Sequence, residues 1–287
     1  MFRHLNLCLL ALALSARPAP HVGAPSVPHF GAPSVPHFGA RPAPPASPLG
    51  SLLNARTWDS LFPHRNALYT FDAFQKAASR FPDFLAEQDP VMQRRELAAF
   101  LANIAQETSG GWPQAPGGYF AWGLYFTEEI HGGTYADTSK HIYPPVPGQS
   151  YFGRGPVQLS WNYNYGQFSQ AWFGDKTILL NHPDTLTKNG ELAFASALWF
   201  WMTTQPPKPS CHDVMSGAWS PTPNDSTGGR VPGFGATVNI FNGGVECGKV
   251  TIPKTQYRYD YYLKFCTWLR VSPGPNVSCA GQRPFGQ

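Results

Sequence analysis

The chain is poor in charge: Asp, Glu, Lys and Arg make up only 13% of its 287 residues, and the net charge is +4. No block of Lys or Arg supplies a phosphate footprint, so no nucleic-acid partner is expected. Long apolar runs are also missing. The longest, LNLCLLALAL near the start, is too short to cross a bilayer, so no membrane partner is expected either. Strand patterning is weak throughout, which points away from an all-β fold. Aromatic residues, by contrast, reach 14%, too many for a disordered or coiled-coil chain. The length suffices for one large domain or two small ones.

Cysteine is sparse. Residues 1–16 read as a secretory signal, with Arg3 and His4 ahead of the apolar run and small residues at Ser15 and Ala16. Its removal takes Cys8 and leaves Cys211, Cys247, Cys266 and Cys279 in a secreted, extracellular protein. An even number in an oxidising compartment favours disulfides over metal ligation. Spacing alone leaves the pairing open. Residues 17–48 hold ten prolines and the octapeptide GAPSVPHF twice, at 23–30 and 31–38. Such a tract favours extended polyproline-type backbone and reads as a linker, not a folded unit. His29 and His37 recur with the repeat, which is better explained by duplication than by metal binding.

From residue 49 the composition is globular. FDAFQKAASRFPDF (71–84) reads as a short helix capped by Thr70 and broken near Pro82. ELAFASALWFWM (191–202) is apolar nearly all round, as a buried helix would be. KTQYRYDYYLKFCTWLR (254–270) reads as a final amphipathic helix. Residues 109–150, rich in Gly, Pro and aromatics, form long loops of the kind that carry function.

The central stretch is 96–129. Leu97, Phe100, Leu101, Ile104 and Ala105 recur at helical spacing. At 100° per residue, Glu107 falls about 20° beyond Phe100, on the edge of that stripe. Gly110-Gly111 should stop the helix, leaving Glu107 in its last turn. There the negative end of the helix dipole and partly apolar surroundings both disfavour ionisation, the setting of a general acid. An ordinary surface glutamate at a helix end is the plainer alternative. Glu128 and Glu129 supply further carboxylates beyond the turn. Trp112, Tyr119, Trp122 and Tyr163 are aromatic side chains in and near these loops, each of which alone could be plain core. FGRG (152–155) lacks the Lys-Ser/Thr of a phosphate loop and reads as close-packed backbone.

Several separate blocks, in order, resemble the glycoside hydrolase family 19 chitinases, in particular the plant class I and II catalytic domain. They are AQETSGGW (105–112), AWG with FTEE (121–129), YFGRGPVQLSWNYNYG (151–166), ALWFWMT with KPSCHDVM (197–215) and PGFGATVNIFNGGVECG (232–248). The resemblance covers 49–287, the expected catalytic domain. It implies a mainly α, two-lobed, lysozyme-like fold with long loops around a central substrate cleft. It further implies hydrolysis of β-1,4-N-acetylglucosamine links in chitin and chitooligosaccharides, with inversion, by a monomer needing neither metal nor cofactor.

Residue by residue, the resemblance makes Glu107 the general acid and selects Glu129 over Glu128 as base, with Ser160 helping to hold the attacking water. Gln158, Tyr163, Asn164 and Asn242 match sugar-site positions, to which the aromatic Trp122 is added. Glu246 and Arg258 match a buried pair beside the acid. The family's His before the acid is Gln106 here. Cys247 and Cys279 sit where a family disulfide is expected, while Cys211 and Cys266 are possible partners. Cysteines that staple the 130–148 loop in plant relatives are absent, so that loop should be more mobile. The chain ends at FGQ without a vacuolar-type extension, which favours secretion. Two competing readings are a catalytically inactive chitin-binding lectin-like protein and a peptidoglycan hydrolase.

Overall fold

The structure, a computed structural model, describes residues 48–287. The signal segment and, apart from Pro48, the Pro-rich tract lie outside the described residues. Among the described residues eleven α-helices follow in order: α1 (Leu49–Leu52), α2 (Ala55–Leu61), α3 (Phe71–Ala78), α4 (Pro90–Glu107), α5 (Asn162–Phe173), α6 (Thr177–Asn181), α7 (Gly190–Met202), α8 (Cys211–Ser216), α9 (Pro223–Thr227), α10 (Phe234–Glu246) and α11 (Pro253–Trp268). Among the described residues β-structure is limited to isolated bridges, two of which, Glu128–Arg154 and Arg154–Leu159, brace the loops beside the site. The fold is mainly helical.

Polar side chains start these helices where propensity asks for them. Asn54, Thr70, Asn189 and Ser210 each accept a hydrogen bond from an amide in the first turn of the helix that follows. Asp89 caps α4 in the same way, with Pro90 just inside. α3 stops at Ala78, earlier than the sequence pattern suggests, because Pro82 disfavours helical backbone in the residue before it.

α4 is the axis of the molecule. The apolar stripe read from the sequence is present, but the opposite face is closed as well, so Glu96 to Gln106 are all buried. Small residues (Ala98, Ala99, Ala102) let neighbouring helices approach on that second face. α11 packs along α4, α7 packs on α3, and α8 and α10 close the remaining sides. Phe100 stacks on Phe74 at 5.6 Å and meets the edge of Trp201 at 5.5 Å, locking α3, α4 and α7 together.

Cys247 and Cys279 form a disulfide. Cys211 and Cys266 do not pair; both are free and buried. Cys211 opens α8 and Cys266 lies within α11, each enclosed by its own helix packing. Burial pushes both thiols up, that of Cys266 to about 11, so they remain protonated.

Candidate functional site

The C-terminal end of α4 presents Glu107 to a cradle from α10 and α11. Arg258 donates to Glu107 Oε1 at 2.5 Å and to Glu246 Oε1 at 2.7 Å, while its Nε reaches Glu246 Oε2 at 3.1 Å. Asn242 donates to Glu107 Oε1 at 2.9 Å and to Glu246 Oε1 at 3.3 Å. α10 departs from helical backbone at Asn242 (φ −136°, ψ 34°), the residue whose amide reaches both acids. The partly apolar surroundings expected for Glu107 are thus replaced by a shared guanidinium. Burial raises the Glu246 carboxyl, but the Arg258 charge and hydrogen bonds outweigh that and hold it below the usual range.

Asn103, one turn before Glu107, completes the cradle. Its Oδ1 accepts from Arg258 at 3.1 Å, and its amide donates to Thr237 Oγ1 at 3.1 Å and to Ala99 O at 2.9 Å. Sequence reasoning missed this residue, although a signal was there. Glu96, Asn103 and Glu107 lie at i, i+7 and i+11, a polar line along one side of the helix.

Glu129 is held differently. Its carboxylate accepts from Tyr135 Oη at 2.8 Å and from the Gly153 amide at 3.3 Å. A Cβ at Gly153 would crowd Gln158, standing 3.1 Å from its Cβ and 3.3 Å from its carbonyl oxygen. Tyr135 carried no periodic signal in its Gly-rich turn and was not foreseen. Glu128 turns the other way, exposed, with Arg154 Nε at 3.9 Å. The neighbouring carboxylates therefore part as strand-like backbone requires.

Ser160 donates to Gln158 O at 2.9 Å, Gln158 donates to Gly155 O at 3.0 Å, and Asn164 donates to Ser160 O at 2.9 Å. Asn164 Oδ1 is buried without a hydrogen-bond partner. Tyr163 is half-buried, with the Lys140 ammonium 5.5 Å from its ring centre.

Two groups thus emerge. Glu107, Asn242, Glu246 and Arg258 form one; Glu129, Gln158, Ser160, Tyr163 and Asn164 form the other. The cap of α4 stitches them together. Thr108 O accepts from the Tyr125 and Phe126 amides, Thr108 Oγ1 accepts from the Leu124 amide, and Gly110 N donates to Trp122 O. Trp122 is stacked on His64 at 4.2 Å and lies 5.2 Å from Trp112, forming an aromatic rim. Tyr119 does not join it: its ring stacks on Tyr257 at 3.9 Å, and its hydroxyl donates to Gln106, the residue standing in for the family's histidine. A cavity of about 700 Å³ opens beside Glu128 and Glu129, lined among others by His64, Asn66, Tyr125 and Ile130.

The 130–148 loop has acquired another fastening. Asn162 donates to Tyr143 O at 2.6 Å and to Asp137 O at 3.1 Å, and accepts from the Asp137 amide at 2.7 Å. Tyr151 Oη accepts from Val146 N at 2.9 Å, and Lys176 reaches Ile142 O.

A family model described as "Chitinase class I" matches residues 49–279. An endochitinase A2 of Pisum sativum is 45% identical over 83% of this chain and 74% of its own length. An inactive chitinase-like protein 1 of Hevea brasiliensis is 44% identical over 83% of this chain and 77% of its own. Among solved structures, chitinase C from Streptomyces griseus superposes with a TM-score of 0.64 at 31% identity, covering 79% of this chain and 97% of the other.

Proposed function

The chain belongs to the class I chitinase family of glycoside hydrolases, and on that premise we propose that it is a secreted, monomeric endochitinase acting by inversion, with Glu107 as general acid and Glu129 as general base. What supports this reading is that the two glutamates are held in unlike frames. One is beside a guanidinium shared with a second acid; the other is held by a phenol and a backbone amide. Inversion needs one carboxyl to protonate the leaving oxygen and another, roughly 6.5–9.5 Å away, to activate water on the opposite face of the sugar.

Glu246, held ionised, by itself balances the charge of the Arg258 guanidinium that it shares with Glu107. The Tyr135 hydroxyl and the Gly153 amide both donate to Glu129, which suits a Glu129 that works as a carboxylate. Ser160 Oγ spends its proton on Gln158 O and so offers lone pairs to a water. Asn164 Oδ1 offers an acceptor to a sugar hydroxyl or acetamido N–H. The Cys247–Cys279 disulfide supports an oxidising destination.

The inactive relative keeps a second reading in play, in which this chain binds chitin without cutting it. Product analysis decides. Chitin oligomers should yield shorter oligomers whose first-formed anomer, read by NMR, is the α form. Bacterial walls should be a far poorer substrate. Glu107→Gln and Glu129→Gln should each lower kcat by at least about 100-fold with binding retained, and Glu128→Gln by little. Binding without release by the wild type would install the lectin reading. A severe Glu128→Gln defect beside a mild Glu129→Gln one would reassign the base.

A further inference from the structure

Trp161 breaks two local preferences at once. It occupies the N-cap of α5, where Ser, Thr, Asn or Asp would supply a hydrogen-bond acceptor, and its indole caps nothing. Its backbone lies at φ 76°, ψ 137°, a region costly for a bulky side chain. Gln158, two residues before Ser160, also has positive φ (50°), so the water-holding serine sits between two strained residues. Violations of this sort survive where a function selects the side chain in spite of its local cost.

What the strain achieves is placement. The Trp161 amide donates to Tyr151 O at 2.8 Å, which fixes the turn. The half-buried indole runs nearly parallel to Tyr163, with centroids 6.2 Å apart and planes 17° apart. Its other neighbour is Tyr135, met edge-on at 5.3 Å and 82°, the same tyrosine whose hydroxyl donates to Glu129. Asn162 N donates to Tyr135 O, adding a backbone tie between the two segments. Tyr163, Trp161 and Tyr135 thus form an aromatic row leading to the Glu129 carboxylate, with the buried, unpartnered Asn164 Oδ1 one turn away.

We propose that Trp161 is a sugar-binding residue: its indole receives the apolar face of one N-acetylglucosamine ring beside Glu129, and Tyr135, wedged between indole and carboxylate, is the positioning residue that keeps the base aligned with that ring. The proposal rests on the chitinase reading above. An indole offers a sugar ring a broad, rigid apolar surface at little conformational cost. A ring seated on it would bring its acetamido group within the reach of Asn164.

Trp161→Asn separates this role from a structural one. Asn tolerates left-handed backbone and is a good N-cap, so a merely structural Trp161 and a functional one predict opposite results. In a Glu107→Gln background, chitotetraose should bind about tenfold more weakly to the variant by calorimetry, while Tm stays level or rises. In the otherwise wild-type enzyme KM should rise more than kcat falls, whereas Tyr135→Phe should lower kcat with KM nearly kept. As a check independent of refolding, the Trp161 indole N–H signal of the Glu107→Gln protein should shift on chitotetraose addition. Unchanged affinity, a lowered Tm or a stationary indole signal each overturns the proposal. If the unmodified chain neither bound nor cleaved chitotetraose, the functional reading itself would fall, and this inference with it.

Discussion

Two glutamates on one helix, eleven residues apart, have opposite careers. Glu96 is fully buried: Oε1 accepts from Trp201 Nε1 at 2.9 Å and pairs with His212 Nδ1 at 2.7 Å, and Oε2 accepts from the Leu85 amide at 3.2 Å. Glu107 keeps 8% of its side chain open, and both Arg258 and Asn242 crowd onto its Oε1. The first carboxylate is used up by the fold, bonded on both oxygens by three different segments. The second is steadied on one side and open on the other. A buried acid becomes available for chemistry when its partners leave it a face toward solvent; burial alone does not do so.

That contrast can be attacked from either end of α4. The largest effect is expected from Glu96→Ala, which leaves His212, Trp201 Nε1 and Leu85 N without their acceptor. About 3–5 kcal/mol of stability should be lost in denaturant unfolding. Whatever folded enzyme remains should retain kcat. If kcat falls in step with Glu107→Gln, the division of labour along the helix is wrong.

Reducing the Cys247–Cys279 disulfide should come next. It closes a separation of 32 residues and anchors the C-terminal segment beside Glu246, so its loss should cost about 3–4 kcal/mol. This perturbation should loosen the Arg258 cradle and leave the Glu96 end untouched. Hydrogen exchange that speeds up at α10 before α7 is the expected pattern.

The pH response should be smaller and of opposite sign at the two ends. Burial lowers the His212 pKa, but the hydrogen bond and charge of Glu96 raise it more, giving a net upward shift. Its contribution is therefore complete below the unfolded value near 6.5 and disappears as pH rises through the higher folded value. Glu246 is held below its usual range, so its contribution is present above the unfolded value and disappears as pH falls through the folded one. Thermal melts of His212→Gln should lose the alkaline limb alone. Loss of the acid limb instead would mean that the ends had been confused.

What could be read from the sequence tracks how local the signal is. The α4 stripe, the all-apolar α7 and the Thr70 cap of α3 each depend on residues within a few positions of one another, and periodicity or capping chemistry exposes them. α10 gives no such sign, with glycines at 235, 243 and 244, and its partner α4 lies far away in sequence. The Arg258 pairing spans 151 residues to Glu107, so only resemblance to a family could suggest it. Tyr135 and Asn162 were missed for a related reason. Their partners are loop carbonyls, amides and one carboxylate, chosen by backbone course and not by any repeating pattern. Trp161 could have been flagged only by knowing its φ angle.

Thr108 determines how this molecule can breathe. Three amides from residues 124–126 converge on its carbonyl and hydroxyl, so the acid-bearing turn and the root of the opposing segment travel as a single block. Any gate must then be cut from the stretch hung chiefly on the Asn162 side chain, with further ties at Tyr151 and Lys176. An engineer seeking to admit a thicker polymer bundle would start by weakening that peg and leave the helix end alone.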